Sequence, residues 1–141
     1  MRVTLALPYP PTVNHYYERT RGGGQRIGDR GLRYRQEVAI LAHQARLRGD
    51  LPMDGLSDRL GVIVAVRAPD RRVRDLGNLE KCLFDALTHA RVWEDDGLID
   101  DQRFIREAPM APLGLIMLHV RTLAAGAAPA SAILALEGWA A

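Results

Sequence analysis

Cysteine is almost absent from this chain of 141 residues. Cys82 is the only one, so neither an intrachain disulfide nor a cysteine-based zinc site can form. No apolar run approaches the ~20 residues that cross a membrane. The opening MRVTLALPYPPT is broken by proline too soon for a signal peptide. We therefore expect a protein of the reducing cytoplasm with no membrane partner.

Excess charge of one sign is also missing, since the formal net charge is only +2. Binding to nucleic acid would therefore depend on how the charges are distributed. The basic residues do cluster, in residues 67–74 and again in residues 19–35, and almost all of them are arginine. Lys81 is the only lysine. Its ammonium group is a compact point charge, unlike the planar fork of arginine.

Apolar patterns predict an α+β fold, an α/β sandwich in which two main helices pack on a small mixed β-sheet. The expected strands are residues 3–7, 60–66, 103–107 and 113–123. The expected helices are residues 29–48 and 78–90. The last two strands are expected to form a hairpin through residues 109–114. The glycine-rich, basic residues 11–31 are predicted to be a mobile arm that orders on DNA, or else an ordinary flexible loop.

The most informative stretch, residues 69–101, reads PDRRVRDLGNLEKCLFDALTHARVWEDDGLIDD. It opens with arginines, continues as an amphipathic helix, and ends with two Asp–Asp pairs. The polar face of this helix carries Asn78, Lys81, Asp85 and His89. Surface helices commonly carry such residues, so an ordinary solvated face is one interpretation. However, arginines attract phosphates and carboxylates hold divalent cations, which favours metal-assisted chemistry on a phosphodiester.

Three aspartates in this stretch are candidate ligands for Mg²⁺. Asp75 is the best of them, because a strand–turn–helix junction would fix it beside Arg74 and it could act as the helix N-cap. Asp95 and Asp96 come next, provided that the turn they form is anchored in the core. One or two carboxylates plus substrate phosphate often suffice for Mg²⁺. Lys81 would reach the scissile phosphate or activate water. Taken singly, such an acid is more often a surface residue than a ligand.

The whole stretch resembles the signature of the RusA-type Holliday junction resolvases. PYPPTVNHYY and IGDRGLRYR resemble the proline-rich opening and the first helix of that family, so the likeness covers roughly residues 3–122. It implies a RusA-like endonuclease domain over residues 1–123, followed by a linker and a short helical extension over residues 124–141. It also implies an endodeoxyribonuclease that uses Mg²⁺, or Mn²⁺ as a substitute, to resolve four-way DNA junctions in recombination and repair. A junction has two equivalent strands to cut, which a homodimer with two identical sites would match.

The resemblance also implies roles for individual residues. Asp75, Lys81 and Asp96 match catalytic positions, and Asp75 and Asp96, with the neighbouring Asp95, are the implied metal ligands. Arg71, Arg72 and Arg74 match the basic run that meets DNA. The full set of residues expected to contact DNA is Arg71, Arg72, Arg74, Asn78, Arg19, Arg21 and Arg26.

One position departs from the family pattern. Gly77 stands where a second aspartate is expected, two residues after Asp75, so the metal site loses one carboxylate. Asp70, Asp85 or Asp95 could take over that role. Alternatively the protein binds branched DNA with impaired or no cleavage, or the aspartate was replaced in this version of the chain, which leaves an otherwise intact enzyme crippled. A different hypothesis, an α/β interaction protein whose arginines pair with its own acids, predicts no DNA affinity at moderate salt.

Overall fold

The computed structural model describes residues 1–124, so almost all of the predicted linker and extension, with its expected helix, lies outside the described residues. The elements in chain order are β1 Arg2–Leu7, α1 Val13–Tyr16, β2 Tyr17–Arg19, β3 Gln25–Ile27, α2 Asp29–Arg48, β4 Leu60–Arg67, α3 Gly77–His89, a 3-10 turn Asp96–Leu98, β5 Ile99–Arg106 and β6 Leu115–Thr122. The predicted α+β fold is confirmed. No helix within residues 1–124 is long and apolar enough to span a membrane.

The main sheet is mixed and has the strand order β1-β6-β4-β5. β4 and β5 run parallel and are joined across the sheet by α3, while the β1–β6 and β4–β6 pairs are antiparallel. The predicted hairpin between β5 and β6 is therefore wrong. After β5, the N–H groups of Glu107 and Met110 donate to the carbonyls of Val66 and Ala68, at 2.9 and 2.8 Å. These bonds carry the chain past the end of β4, so that β6 pairs with the far edge of that strand.

The core lies between this sheet and the two long helices. β4 is apolar along almost its whole length, and six of its eight residues are buried, which fits a strand with partners on both edges. β1 and β6 alternate buried with more exposed positions, as strands with one covered face do. The helices contribute Tyr34, Val38 and Ala45 from α2 and Leu79, Leu83 and Leu87 from α3, all buried. Leu41 of α2 is only half-buried.

Residues 11–31 form helix and hairpin over most of their length, which corrects the prediction of a mobile arm. The short helix α1 leads directly into a hairpin in which Tyr17 pairs with Ile27 and Arg19 with Gln25. The N–H of Gly28 donates to the carbonyl oxygen of Tyr16 at 2.8 Å. At Gly31 an added Cβ would lie 2.5 Å from that same oxygen. Glycine therefore allows α2 to approach the hairpin closely, and the hairpin is seated on the domain.

Candidate metal and nucleic-acid site

Helix α3 presents the polar face that its sequence predicts. Asn78, Lys81 and His89 are exposed, and Asp85 is half-buried. The opposite face is buried because leucines recur there at helical spacing and pack on the sheet. The α3 crossover joins the end of β4 to the start of β5. It thereby fixes the arginine-rich loop before the helix and the acidic turn after it.

Asp75 lies in the loop that leads into α3, and its carboxylate is exposed. One carboxylate oxygen accepts the backbone N–H of Gly77 at 3.0 Å. The helix begins at Gly77 after Leu76, so Asp75 is not the N-cap residue that we predicted, although its side chain satisfies an N–H of the first turn. The partial positive charge at a helix N-terminus favours a carboxylate there.

The position of Gly77 bears directly on this carboxylate. A Cβ added at residue 77 would lie 3.4 Å from the Oδ1 atom of Asp75, in ordinary van der Waals contact. A side chain at position 77 would thus stand beside the carboxylate of Asp75. This is the position at which the resemblance noted in the sequence leads us to expect an aspartate.

The acidic turn is anchored in the core, as its candidate role requires. Trp93 is fully buried, and its indole Nε1 donates to the hydroxyl of Thr88 at 2.8 Å. Asp95 caps the turn, because its carboxylate accepts the N–H of Gly97 at 2.7 Å. Both Asp95 and Asp96 are exposed. The turn therefore holds two solvent-facing carboxylates on a rigid base.

Asp85 connects this turn with α3 electrostatically. Partial burial raises the pKa of the Asp85 carboxyl, and the negative charge of Asp96 raises it further. The hydroxyl of Tyr17 donates a hydrogen bond to Asp85. The ammonium of Lys81 lies 4.8 Å from the centre of the same tyrosine ring. Tyr17 was absent from our sequence-based candidates, since a tyrosine in an irregular, polar loop gives no signal of which helix it contacts.

The site is elongated. Asp85 lies eight residues beyond Gly77, which corresponds to about 12 Å along the helix axis. Asp75 thus stands at the start of the polar face, while Asp85 and Asp96 interact further along it. Within residues 1–124 no three Asp, Glu, His or Cys side chains are grouped closely enough to hold a metal ion by themselves. The exposed carboxylates nevertheless suit Mg²⁺, which takes oxygen ligands and often completes its shell with water and substrate phosphate.

The arginine cluster before α3 divides into paired and outward-facing members. Arg74 is only 21% exposed, and its guanidinium donates to both carboxylate oxygens of Asp70, with one of these bonds at 2.9 Å. Hydrogen bonding from the Arg74 guanidinium is the larger cause, and the bond from the backbone N–H of Arg72 the second, that holds the pKa of the Asp70 carboxyl well below its usual range. Arg72 is 84% exposed, and its Nε atom lies 3.8 Å from an Asp70 carboxylate oxygen, which is a loose ion pair. Arg71 is also exposed. Arg71 and Arg72 can therefore meet a phosphate, whereas Arg74 chiefly shapes the loop.

The remaining predicted DNA contacts lie on the hairpin. Arg19 ends β2, Arg21 lies in the turn, and both are exposed. Arg26 is exposed too but pairs with Glu18 at 3.1 Å. Since β2 begins at Tyr17, the strand that carries Arg19 also contacts Lys81 and Asp85.

The sequence profile of the family described as endodeoxyribonuclease RusA matches residues 8–108. The chain belongs to this family. It is 41% identical over 121 residues to a crossover junction endodeoxyribonuclease rusA of Enterobacteria phage HK97, covering 84% of this chain and 96% of the relative. It is 39% identical over 103 residues to crossover junction endodeoxyribonuclease RusA of Escherichia coli strain K12, covering 73% and 81%. The resemblance seen in the sequence is confirmed, and membership of this nuclease family implies the use of a divalent metal ion.

Proposed function

We propose that this RusA family member is a Mg²⁺-dependent endodeoxyribonuclease that cuts four-way DNA junctions in recombination and repair by paired phosphodiester hydrolysis. The main support is the arrangement around α3. Its polar face carries Lys81, and it runs from Asp75 and the exposed arginines at one end to the Asp95–Asp96 turn near the other. The relatives are named for action on crossover junctions, which supports this choice of substrate.

In this proposal Asp75 at one end of the polar face, and Asp95 and Asp96 near the other, each offer carboxylate oxygens to a metal ion. One or two carboxylates then hold an ion, and water and substrate phosphate complete its shell. When bound, Mg²⁺ supplies charge neutralisation on the phosphoryl group and lowers the pKa of a coordinated water. The ammonium of Lys81 contacts the scissile phosphate or helps to activate the water. Mn²⁺ would substitute because it takes the same kinds of ligand.

DNA is bound chiefly through its phosphates in this proposal. The outward-facing Arg71 and Arg72 and the amide of Asn78 would contact the backbone near the site, while Arg19, Arg21 and Arg26 would contact a neighbouring arm through the hairpin. Such contacts position a protein on DNA but do not specify sequence. They predict an affinity that falls steeply with salt concentration.

The active species in this proposal is a cytoplasmic homodimer. A four-way junction offers two equivalent strands, and a two-fold protein presents one site to each of them. Light scattering on the full chain tests this point. A monomer both free and on junction DNA would refute the dimer without refuting cleavage.

The experiment that tests the function uses an end-labelled synthetic junction. The full chain should nick opposed strands in Mg²⁺ or Mn²⁺ and should leave the junction intact in EDTA. Asp75→Asn should abolish the nicks while junction binding persists. Binding without metal-dependent cleavage by the natural chain would instead support a branched-DNA-binding protein.

A further inference from the structure

Tyr17 contacts two groups on the polar face of α3 at once. The ammonium of Lys81 lies 4.8 Å from its ring centre, and its hydroxyl donates to the carboxylate of Asp85. Lys81 and Asp85 are four residues apart, so they project from the same side of the helix. A single side chain from the hairpin therefore spans both of them.

The ring contact has a definite consequence for Lys81. Lysine ends in a flexible four-carbon stem, so an exposed ammonium samples many positions. An aromatic ring within ~6 Å attracts the cation through its negative face. Lys81 is exposed, and this ring is the contact that the structure gives its ammonium within residues 1–124. The tyrosine thus narrows the range over which the charge moves.

Tyr17 itself is held on a rigid base. Its backbone pairs with Ile27 in the hairpin, and its ring packs against that of Tyr16, with the two centres 4.8 Å apart. Tyr16 is fully buried, and its hydroxyl accepts a hydrogen bond from Arg35 at 2.9 Å. The orientation of the Tyr17 ring is therefore set by the core of the domain.

We propose that Tyr17 is a positioning residue of the cleavage site, whose ring fixes the ammonium of Lys81 while its hydroxyl fixes the carboxylate of Asp85. The importance of this for the reaction rests on the proposed function, in which Lys81 acts at the phosphate. The contact between the Tyr17 ring and the Lys81 ammonium does not depend on that function, and it can be measured separately.

Lys81 is the only lysine in the chain, so labelling with ¹³Cε-lysine gives a single side-chain signal. In the folded natural protein the attached protons should be shifted upfield by the ring current, relative to the same signal in urea. Tyr17→Phe should keep the shift and Tyr17→Leu should remove it. An unshifted signal in the folded natural protein would overturn the proposal, whatever the variants do.

The second arm measures single-turnover cleavage of a saturating four-way junction. Tyr17→Leu should slow cleavage by about 5- to 100-fold, between the loss of one cation–π contact and the loss expected from misplacing a reacting group by ~1 Å. Tyr17→Phe should be slowed less, and the junction Kd should change by no more than about twofold because Tyr17 binds no phosphate. Tyr34→Phe is the matched control, since its hydroxyl donates to the carbonyl of Pro8, at 2.9 Å, away from Lys81.

The two measurements distinguish failure of the proposed function from failure of the positioning role. If the natural chain does not cut, the proposed function falls, and the lysine signal still decides whether Tyr17 holds Lys81. If the natural chain cuts and folded Tyr17→Leu cuts at the same rate, the positioning role falls while the function stands.

Discussion

Gly77→Asp is the substitution whose effect on the candidate metal site follows most directly from the structure. Gly77 is the first residue of α3, and its backbone is outside the left-handed region that favours glycine. An added Cβ would meet only Asp75, at 3.4 Å from Oδ1 and 3.9 Å from Cγ. An aspartate is therefore accommodated without backbone change, and its carboxylate stands next to that of Asp75.

The expected effect on stability is small and the expected effect on catalysis is large. Without metal, two exposed carboxylates about 4 Å apart repel by about 1 kcal/mol in a water-like dielectric. The helix N-terminus offsets this by about 0.3–1 kcal/mol. When a divalent cation is present, the two carboxylates can both coordinate it, and their repulsion is relieved. An added electrostatic contact to the transition state is worth about 10²–10³ in rate, so Gly77→Asp should cleave faster by up to that factor and need less Mg²⁺.

The assay is single-turnover cleavage of a labelled four-way junction across a Mg²⁺ titration. Gly77→Ala adds the Cβ without an oxygen, and Gly77→Asn adds an oxygen without the charge, so both should stay close to the natural chain. The reasoning is refuted if Gly77→Asp changes neither the rate nor the Mg²⁺ midpoint, or if Gly77→Ala gives the same gain. An equal rate in all four proteins would mean that another carboxylate already serves in place of the missing one.

Three further predictions concern DNA binding, thiol reactivity and stability. Arg72→Ala should reduce the slope of log affinity against log salt by about 0.9, and Arg74→Ala should reduce it less because that charge is already paired; equal changes in gel-shift titrations would contradict this division. Burial raises the pKa of the Cys82 thiol from 9.0 to about 11, which lowers the thiolate fraction at pH 8 by about 100-fold. Iodoacetamide should therefore spare Cys82 in the native protein and modify it in urea, and rapid native alkylation would argue against the buried position. Leu83→Ala should lower the free energy of unfolding by about 2–5 kcal/mol in urea melts because Leu83 is fully buried, whereas the wholly exposed Val73 should tolerate alanine with almost no change.

The parts of the fold that were predictable are those set by local periodicity. Leucines at helical spacing identified α3 and its polar face, and the valine-rich run of residues 60–66 identified β4. The insertion of β6 between β1 and β4 was not predictable, because it depends on pairing between residues far apart in sequence. A short connection favours a hairpin, but β5 and β6 pair with opposite edges of β4, and the bonds from Glu107 and Met110 carry the chain past its end.

The candidate site shows the same division. Asp75, Lys81 and the acidic turn were proposed as candidates from residue type and spacing, and the structure provides Trp93 as the anchor that the turn required. Tyr17 was not identified, since its proposed role depends on a hairpin whose glycine-rich sequence is typical of a flexible loop. The glycines occupy the turn, but the bond from Gly28 to Tyr16 and the close approach at Gly31 hold the hairpin in place.

The arginine cluster shows why a count of basic residues overstates the charge available to DNA. Arg67 pairs with Glu107 at 2.6 Å and Arg74 with Asp70, so these two arginines hold the ends of the loop between β4 and α3. The pKa of Asp70 is depressed, so the stabilisation from its ion pair is complete above pH 3.8 and is lost only as the pH falls further. At neutral pH the loop is therefore held by charge pairs, and a phosphate meets Arg71 and Arg72, of which Arg72 is 84% exposed and only loosely paired with Asp70 at 3.8 Å. The charge that this loop offers to a phosphate is thus that of Arg71 and Arg72 and not that of the whole cluster.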